Sequence, residues 1–189
     1  MTVYVGLLRA VNVGPGTGVP METLRRLLKD AGLEEVRTLL QSGNLVFRSP
    51  GSHGAALERD FSGRIVRAFR VRTELFLRTR EEWQAILAGN PFPREAKDDP
   101  AHLLVLTLRD SPAEDRWKAL AGAIRGREQV RAGGRHGYLV YPDGIGRSKL
   151  TPAVIERHLG TSGTARNWNT ARKLADLAES LGGSAPPAP

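Results

Sequence analysis

The sequence predicts an α+β protein with two lobes, each related to the ferredoxin-like fold. Short apolar runs typical of buried strands alternate with helical patterns in the order βαββαβ, and then again in the order βαββα. A polar, proline-rich stretch separates the two series. We therefore expect a first lobe over 1–89, a linker over 90–100, a second lobe over 101–181 and a disordered tail over 182–189.

The first lobe begins with a strand, a helix and a hairpin. The run 3–8 is continuously apolar, as in a buried strand. After a glycine-rich loop, Pro20 and the leucines beyond it lie at helical spacing, and Gly32 ends that helix. Two short strands follow over 36–40 and 45–47, and the turn between them contains a Gly-Asn pair, which favours a tight hairpin.

A second helix, a fourth strand and a third helix complete this lobe. The segment 56–69 places its large apolar side chains on one stripe, which predicts an amphipathic helix. The next apolar run, 73–77, predicts the strand. Thr79 and Glu82 stand at the spacing of a capping box, so we expect a helix to begin there and to continue through Leu87.

The second lobe repeats this order of elements without an evident closing strand. A hydroxyl residue followed by proline indicates a helix start at two places along this part of the chain. The expected elements are a strand over 102–108, a helix from Ser111-Pro112, strands over 128–130 and 137–141, a helix from Thr151-Pro152 and a last helix over 169–181.

The composition excludes several classes of protein. Because the chain has no cysteine, it holds neither disulfides nor thiolate metal sites nor a thiol nucleophile. No two of the four histidines stand at metal-ligand spacing, so we expect neither a metal nor another cofactor. The chain lacks an apolar run of transmembrane length and a signal-peptide pattern, so we expect a cytoplasmic protein without membrane association.

The net charge of +8 is concentrated in one quarter of the chain. Residues 125–173 carry ten Arg or Lys and three Asp or Glu, a balance of +7. A field of this sign attracts phosphates, nucleotides or nucleic acid. The alternative is a coding bias, because 23 of the 28 basic residues are Arg, which GC-rich coding DNA produces without any binding function. The charge alone leaves both interpretations open.

Four polar segments punctuated by glycine are the candidates for ligand binding, and two of them lie in the first lobe. The segment 9–18 is a glycine-rich turn before a helix, which exposes backbone N–H groups to an anion. It matches neither the dinucleotide-binding glycine pattern nor the P-loop. The segment 41–44 carries amides that both donate and accept hydrogen bonds. The candidate residues here are Arg9, Asn12, Gly14, Gln41, Ser42 and Asn44.

The other two segments lie in the basic part of the chain. The segment 144–150 places two neighbouring cations beside glycines, an arrangement that can hold a phosphate. The segment 164–173 combines cationic, amide and aromatic side chains, which suit hydrogen bonding and stacking. The candidate ligand-binding residues here are Arg147, Ser148, Lys149, Arg166, Asn167, Trp168, Asn169 and Thr170.

Each segment also has a purely structural interpretation. The first is then a flexible loop and the second a hairpin turn, while the amides and hydroxyls of the fourth cap the last helix. Ser148 and Lys149 form the one conceivable catalytic pair, but they are sequence neighbours and nothing indicates that the lysine is desolvated. Since no general base stands out either, the catalytic residues stay unassigned.

Four motifs of the sequence are long or specific enough to compare with known families. They are Leu-Leu-Arg-Ala-Val-Asn-Val-Gly at 7–14, Leu-Gln-Ser-Gly-Asn at 40–44, Ser-Lys-Leu at 148–150 and Thr-Ala-Arg-Asn-Trp-Asn-Thr at 164–170. Together they closely resemble the domain of unknown function 1697 family. The resemblance implies a two-lobed α+β fold with ferredoxin-like elements, and no established activity or cofactor. Ala10 departs from the glycine usual in that family, and 15–18 replaces a stretch that commonly contains lysine.

Three functions from different classes fit these observations. The first, which we favour, is binding of a phosphate-bearing small ligand or nucleotide at a polar site between the lobes. The second is an enzyme that acts on a small phosphorylated substrate. The third is a structural or partner-binding module in which the polar segments are hydrogen-bonded staples. Nucleic acid is a weaker candidate partner, because the central strands offer only Tyr4 and Phe47 for stacking. The oligomeric state does not follow from the sequence.

Overall fold

The computed structural model describes residues 1–50 and 54–182, and these residues form two compact units. One unit contains Met1–Ala85 together with the chain from Lys173 onward, and the other contains Ile86–Arg172. Each unit holds one four-stranded antiparallel sheet with helices. The predicted α+β class with two ferredoxin-like lobes is therefore confirmed.

The sheet of the first unit is built around its first strand. Its strands follow the order β2-β3-β1-β4, so β1 pairs with β3 on one edge and with β4 on the other. Every neighbouring pair is antiparallel. The elements are β1 (Thr2–Leu8), α1 (Met21–Asp30), β2 (Glu34–Leu39), β3 (Asn44–Ser49), α2 (Gly54–Phe69), β4 (Leu75–Thr79) and α3 (Arg80–Ala88), which runs across the division between the units.

One face of this sheet forms a core with α1 and α2. Along β1, Tyr4 and Leu8 point to that core because alternate side chains of a strand share a face. They join Leu24 of α1 and Ile65 of α2 in one buried cluster. Gly6 lies between Tyr4 and Leu8 in the same row, where a Cβ atom would lie only 3.1 Å from a Leu77 methyl carbon.

The sheet of the second unit has the same topology. Its order, β6-β7-β5-β8, places β5 in the central position that β1 holds in the first unit. Every residue of β5 is buried. The elements are α4 (Pro93–Asp98), β5 (Leu103–Leu108), α5 (Glu114–Ala123), β6 (Gln129–Ala132), β7 (His136–Val140), a 3₁₀ turn (Ile145–Arg147), α6 (Pro152–Leu159), β8 (Gly163–Asn167) and α7 (Trp168–Gly182), which also crosses the division.

The closing strand of the second unit, β8, is the main element that the sequence did not indicate. Its residues, Gly-Thr-Ala-Arg-Asn, contain neither an apolar run nor a clean alternation. The strand exists because it pairs with β5, with Thr164 opposite Thr107 and Arg166 opposite Val105. An edge strand has a partner on one side only and need not be apolar on both faces.

Two further details differ from the sequence-based expectations. Helix α5 begins at Glu114, with Ala113 at the N-cap and no side-chain cap, so the helix start predicted at Ser111, with serine as its cap, is wrong. The acidic residues of its first turn, Glu114 and Asp115, instead interact favourably with the helix dipole. A short helix, α4, lies within the predicted linker, and a proline occupies its first turn.

The chain ends of the described part raise two smaller points. The disordered tail was predicted over 182–189; Gly182 is the last residue of α7, and residues 183–189 lie outside the described residues. Within the described ranges, no helix has the length and apolar character needed to cross a membrane.

The capping box predicted at the start of α3 is confirmed. The Thr79 N–H donates to Glu82 Oε2 at 2.8 Å, and the Glu82 N–H donates to Thr79 Oγ1 at 3.1 Å. These reciprocal bonds satisfy two backbone donors at the helix start, which otherwise have no partner within the helix. In the same unit, the predicted helix after Pro20 is present as α1.

We predict that Thr79→Ala lowers the free energy of unfolding by about 1 kcal/mol, because the first turn of α3 loses its hydroxyl acceptor. Thr79→Ser is the matched control, since serine keeps the acceptor and should retain most of the stability. Urea denaturation of the three proteins measures the difference. Equal losses in the alanine and serine variants would contradict a capping role.

Candidate functional site

The candidate residues fall into two groups, one in each unit. The group in the first unit comprises Arg9, Asn12, Gly14, Gln41, Ser42 and Asn44. The group in the second unit comprises Arg147, Ser148, Lys149, Arg166, Asn167, Trp168, Asn169 and Thr170. The placement of a site between the lobes stays a prediction.

In the first unit, Asn12 ties the glycine-rich loop to the hairpin turn. Its Nδ2 donates to the Val19 carbonyl at 3.0 Å and to the Gln41 carbonyl at 2.6 Å, and its Oδ1 accepts from the Val19 N–H at 2.8 Å. Asn12 has a left-handed backbone with φ of 57°, a conformation that asparagine tolerates better than most residues. Its amide therefore connects two loops of the same unit.

Several backbone N–H groups of the glycine-rich loop have partners within the loop, among them those of Val13 and Gly14. The N–H groups of Val13 and Gly14 each donate to Thr17 Oγ1 at 3.1 Å, and that hydroxyl donates to the Gly14 carbonyl at 2.7 Å. The sequence analysis expected these donors to be exposed to an anion. In the structure Thr17 occupies them, which is the arrangement expected of a loop that stabilises itself.

The hairpin turn is held by a buried asparagine. Asn44 Nδ2 donates to the Leu39 carbonyl and to Ser42 Oγ, both at 2.9 Å, and the residue is fully buried. Gly43 has φ of 73°, and its carbonyl accepts from the Leu8 N–H at 2.8 Å. The turn is thereby anchored to the end of the central strand.

Arg9 lies at the rim of a shallow hollow in the same unit. Its guanidinium pairs with Glu74 at 3.2 Å, and its carbonyl accepts from Thr73 Oγ1 at 2.7 Å. Arg72 and Val66 line the same hollow. Since Arg9 is paired with a carboxylate, its positive charge is partly compensated.

In the second unit, the segment 164–170 contributes mostly to the junction between β8 and α7. Asn167 caps α7, because its Oδ1 accepts from the Thr170 N–H at 2.9 Å. The side chain of Trp168 is buried, and the backbone N–H of this residue donates to the Pro100 carbonyl at 3.1 Å. Asn169 is exposed.

Arg166 is half-buried on the edge strand β8. Its Nη1 donates to Thr164 Oγ1 at 2.9 Å and to the Ala165 carbonyl at 2.8 Å. Burial lowers the pKa of Arg166 to about 10, so the guanidinium still carries its charge at neutral pH.

The segment 144–150 lines a cavity of about 270 Å³ in the second unit. One wall is the end of α5 and the loop that follows it, and the other is the loop between β7 and α6. Arg147, Ser148 and Lys149 all line the cavity, as do Ile124, Leu150 and Val154. The three chosen residues of this segment therefore meet at a single concave site.

The sequence analysis missed the residues of the opposite wall, which are Arg125, Gly126 and Glu128. The available signal was the start of the basic region at residue 125. Nothing local to 125–128 indicates that this loop faces Ser148, which is twenty residues away along the chain.

Two side-chain interactions hold the walls of the cavity together. Ser148 Oγ donates a short hydrogen bond to Glu128 Oε1 and accepts from the Leu150 N–H at 2.9 Å. Arg127 binds both carboxylate oxygens of Asp143, with Nε 3.0 Å from Oδ2. This guanidinium holds the pKa of Asp143 below its usual range. Both acids of the cavity therefore have partners.

The cations of the cavity, by contrast, are bonded to neither acid, although the charge of Arg147 contributes a little to the lowered pKa of Asp143. Arg125, Arg147 and Lys149 are exposed, and within the described chain their side chains form no hydrogen bond or ion pair. Three positive charges thus stand beside two carboxylates that are already engaged, so the rim attracts anions. As for metals, no group of three or more His, Asp or Glu residues in the described ranges could hold an ion.

Comparisons with known proteins agree with the fold and assign no activity. A family model described as "Protein of unknown function (DUF1697)" matches residues 1–138. The solved structure of the conserved bacterial protein SP0830 from Streptococcus pneumoniae is similar over 95% of this chain and 99% of that chain, with 23% sequence identity and a TM-score of 0.71. At this identity the likeness shows the fold alone. Among curated proteins, none matches this chain.

We predict that Gly43→Ala destabilises the protein by about 2–4 kcal/mol. An alanine there has a left-handed backbone, and its Cβ would lie 2.6 Å from Leu8 Cβ and 2.7 Å from Val11 Cγ2. Gly18→Ala is the matched control, because a Cβ at Gly18 meets nothing within 4 Å and the backbone is not left-handed. Chemical denaturation measures both, and a similar loss in the two variants would refute this account of the turn.

We also predict that stability falls between about pH 10 and about pH 12 in part through Tyr141. Its hydroxyl donates to the Leu150 carbonyl at 3.0 Å, and burial, with a smaller effect from the charge of Glu128, raises the pKa of Tyr141 to about 12. In that window the unfolded chain loses this proton and the folded chain keeps it, so unfolding becomes easier as pH rises. Tyr141→Phe should lose less stability over the same range in urea denaturation, and an unchanged slope would contradict the prediction.

Proposed function

Because this chain belongs to the DUF1697 family, whose description assigns no activity, we propose a function from the cavity of the second unit: it binds a small molecule that carries a phosphate group. The observation that carries the proposal is the imbalance of partners at the cavity. Its two carboxylates are engaged by Arg127 and Ser148, whereas Arg125, Arg147 and Lys149 are left for a ligand.

The chemistry of these cations suits a phosphate. A guanidinium presents several N–H donors in a fixed plane, and an ammonium presents a compact charge with three donors. Hydrogen bonds from such groups to phosphate oxygens are charge-assisted and stronger than neutral ones. Since Arg147 and Lys149 flank Ser148 on one wall and Arg125 lies on the other, a phosphate at the rim is approached from both sides.

The size of the cavity favours a small phosphorylated molecule. Its volume of about 270 Å³ lies just below the usual range for pockets that hold drug-sized ligands, about 300–1,000 Å³. Its lining, drawn from the described residues, includes no aromatic side chain on which a base would stack. Both features argue against nucleic acid and make a whole nucleotide a poorer fit than a smaller phosphate ester.

Binding is favoured over catalysis at this site. The Ser148 hydroxyl donates to Glu128 and accepts from the Leu150 N–H, so it acts as a link between the two walls. Lys149 is exposed to solvent and forms no bond with Ser148, which leaves the pair without the desolvated base that a Ser-Lys mechanism needs. The structural alternative suits the first unit better, where Asn12 and Asn44 are engaged within their own loops.

The test is calorimetric titration of the purified protein with methyl phosphate and with ribose 5-phosphate, supported by thermal shift. A ligand at a hundred times its dissociation constant stabilises the fold by about 2.7 kcal/mol. We predict that Arg147→Ala and Lys149→Ala each weaken binding about five- to tenfold, because each removes one charge-assisted contact. Added salt should weaken binding as well.

Lys118→Ala is the matched control for these variants. Lys118 is an exposed lysine of the same unit that pairs with Glu114 on α5 and does not line the cavity. Its loss should leave affinity unchanged. An equal loss of affinity in Lys118→Ala would mean that only the overall charge matters, and absence of binding by either phosphate ester would remove the proposal.

A further inference from the structure

Resting on that proposed function, we infer that the ligand carries hydroxyl groups beside its phosphate, as a sugar phosphate does, and that Glu128 recognises them. The cavity is not uniformly basic, because a half-buried carboxylate stands among its three cations. The link to Ser148 uses only one oxygen of this carboxylate, and its negative charge opposes the binding of an anion close by. The carboxylate therefore indicates a second group on the ligand.

One oxygen of Glu128 is available to that group. Oε1 accepts the hydrogen bond from Ser148, whereas Oε2 receives no hydrogen bond from the described chain. An ionised carboxylate accepts several hydrogen bonds and donates none. A partly buried carboxylate with an unfilled oxygen is therefore best satisfied by a donor, and a ligand in the cavity is placed to supply one.

Gly126 leaves room for this oxygen. A Cβ at Gly126 would lie only 2.3 Å from Glu128 Oε2 and 3.0 Å from its carboxyl carbon. Gly126 does not have a left-handed backbone, so its φ angle does not call for glycine. The nearest atoms to such a Cβ all belong to the Glu128 carboxylate. A side chain at position 126 would therefore displace this carboxylate.

The donor is a hydroxyl rather than an ammonium. Arg125, Arg147 and Lys149 line the same cavity and form no ion pair within the described chain, so they repel a cationic group on the ligand. A neutral hydroxyl meets no such repulsion. The apolar side chains of Leu150 and Val154 also line the cavity and provide contact for the C–H groups of a sugar. A phosphate at the cationic rim and hydroxyls at Glu128 thus satisfy both kinds of group.

The experiment compares ribose 5-phosphate with methyl phosphate, which carries the phosphate ester without hydroxyls. The proteins are the wild type, Glu128→Gln and Gly126→Ala, each checked for folding by circular dichroism. In the wild type we expect ribose 5-phosphate to bind at least about tenfold more tightly, as hydrogen bonds to a charged acceptor allow. In Glu128→Gln, affinity for ribose 5-phosphate should fall about tenfold, while affinity for methyl phosphate stays equal or rises because a repelling charge is gone.

Gly126→Ala displaces the same carboxylate without removing it, so it should also reduce the preference for ribose 5-phosphate. It serves as the second variant if Glu128→Gln fails to fold. Two further probes sharpen the result: ribose without phosphate should bind weakly in all proteins, and O-phosphoethanolamine should bind no better than methyl phosphate to the wild type.

Each contrary result has a distinct meaning. Equal binding of both phosphate esters to the wild type overturns the role of hydroxyls and leaves the phosphate site standing. Equal weakening of both esters in Glu128→Gln overturns recognition by Glu128, since a purely structural role predicts that outcome. Tighter binding of O-phosphoethanolamine than of ribose 5-phosphate overturns the choice of hydroxyl. If neither ester binds the wild type, the proposed function itself fails together with this inference.

Discussion

Pairing on both edges of one central strand is the constraint on which the rest of each unit depends. In the first unit β1 hydrogen-bonds to β3 and β4, and in the second unit β5 does so to β7 and β8. A strand in this position is surrounded by its sheet, so nearly every side chain of β1 and all of those of β5 are buried. Most of the candidate polar residues consequently lie in loops and at strand ends, which is where binding residues are commonly found.

The two units use this shared topology differently. In the first unit the loops at the strand ends are joined by their own side chains: Asn12 bonds to two loops, and Asn44 fills its turn. In the second unit two acids connect the loops across a cavity: Glu128 accepts a hydrogen bond from Ser148, and Asp143 pairs with Arg127. Because these acids are bonded to Ser148 and Arg127, the neighbouring cations form no ion pair with them and can interact with an anionic ligand. The same fold thus yields a closed loop cluster in one unit and an open, basic cavity in the other.

The family match covers only one wall of this cavity. The family match extends over 1–138, which includes the wall that contains Arg125 and Glu128. The other wall, 143–150, lies beyond the match, and the similar structure from Streptococcus pneumoniae supports the fold alone. The case for phosphate binding therefore depends on the arrangement of charges in this chain, and the case for a hydroxyl-bearing ligand depends on Glu128 and on Gly126, which leaves room for its carboxylate.

Local patterns in the sequence were sufficient for most of the fold. Apolar runs located both central strands, and the Thr79–Glu82 spacing located the start of α3, because such signals depend on residues that are neighbours along the chain. The third polar segment likewise led to Arg147, Ser148 and Lys149 as candidates. Only the tertiary structure revealed strand β8 and the wall that contains Glu128. The reason is distance along the chain. Strand β8 is defined by pairing with residues of β5 that lie 55 to 63 positions earlier, and the two walls of the cavity are joined by a hydrogen bond that spans twenty residues. No local pattern encodes either contact.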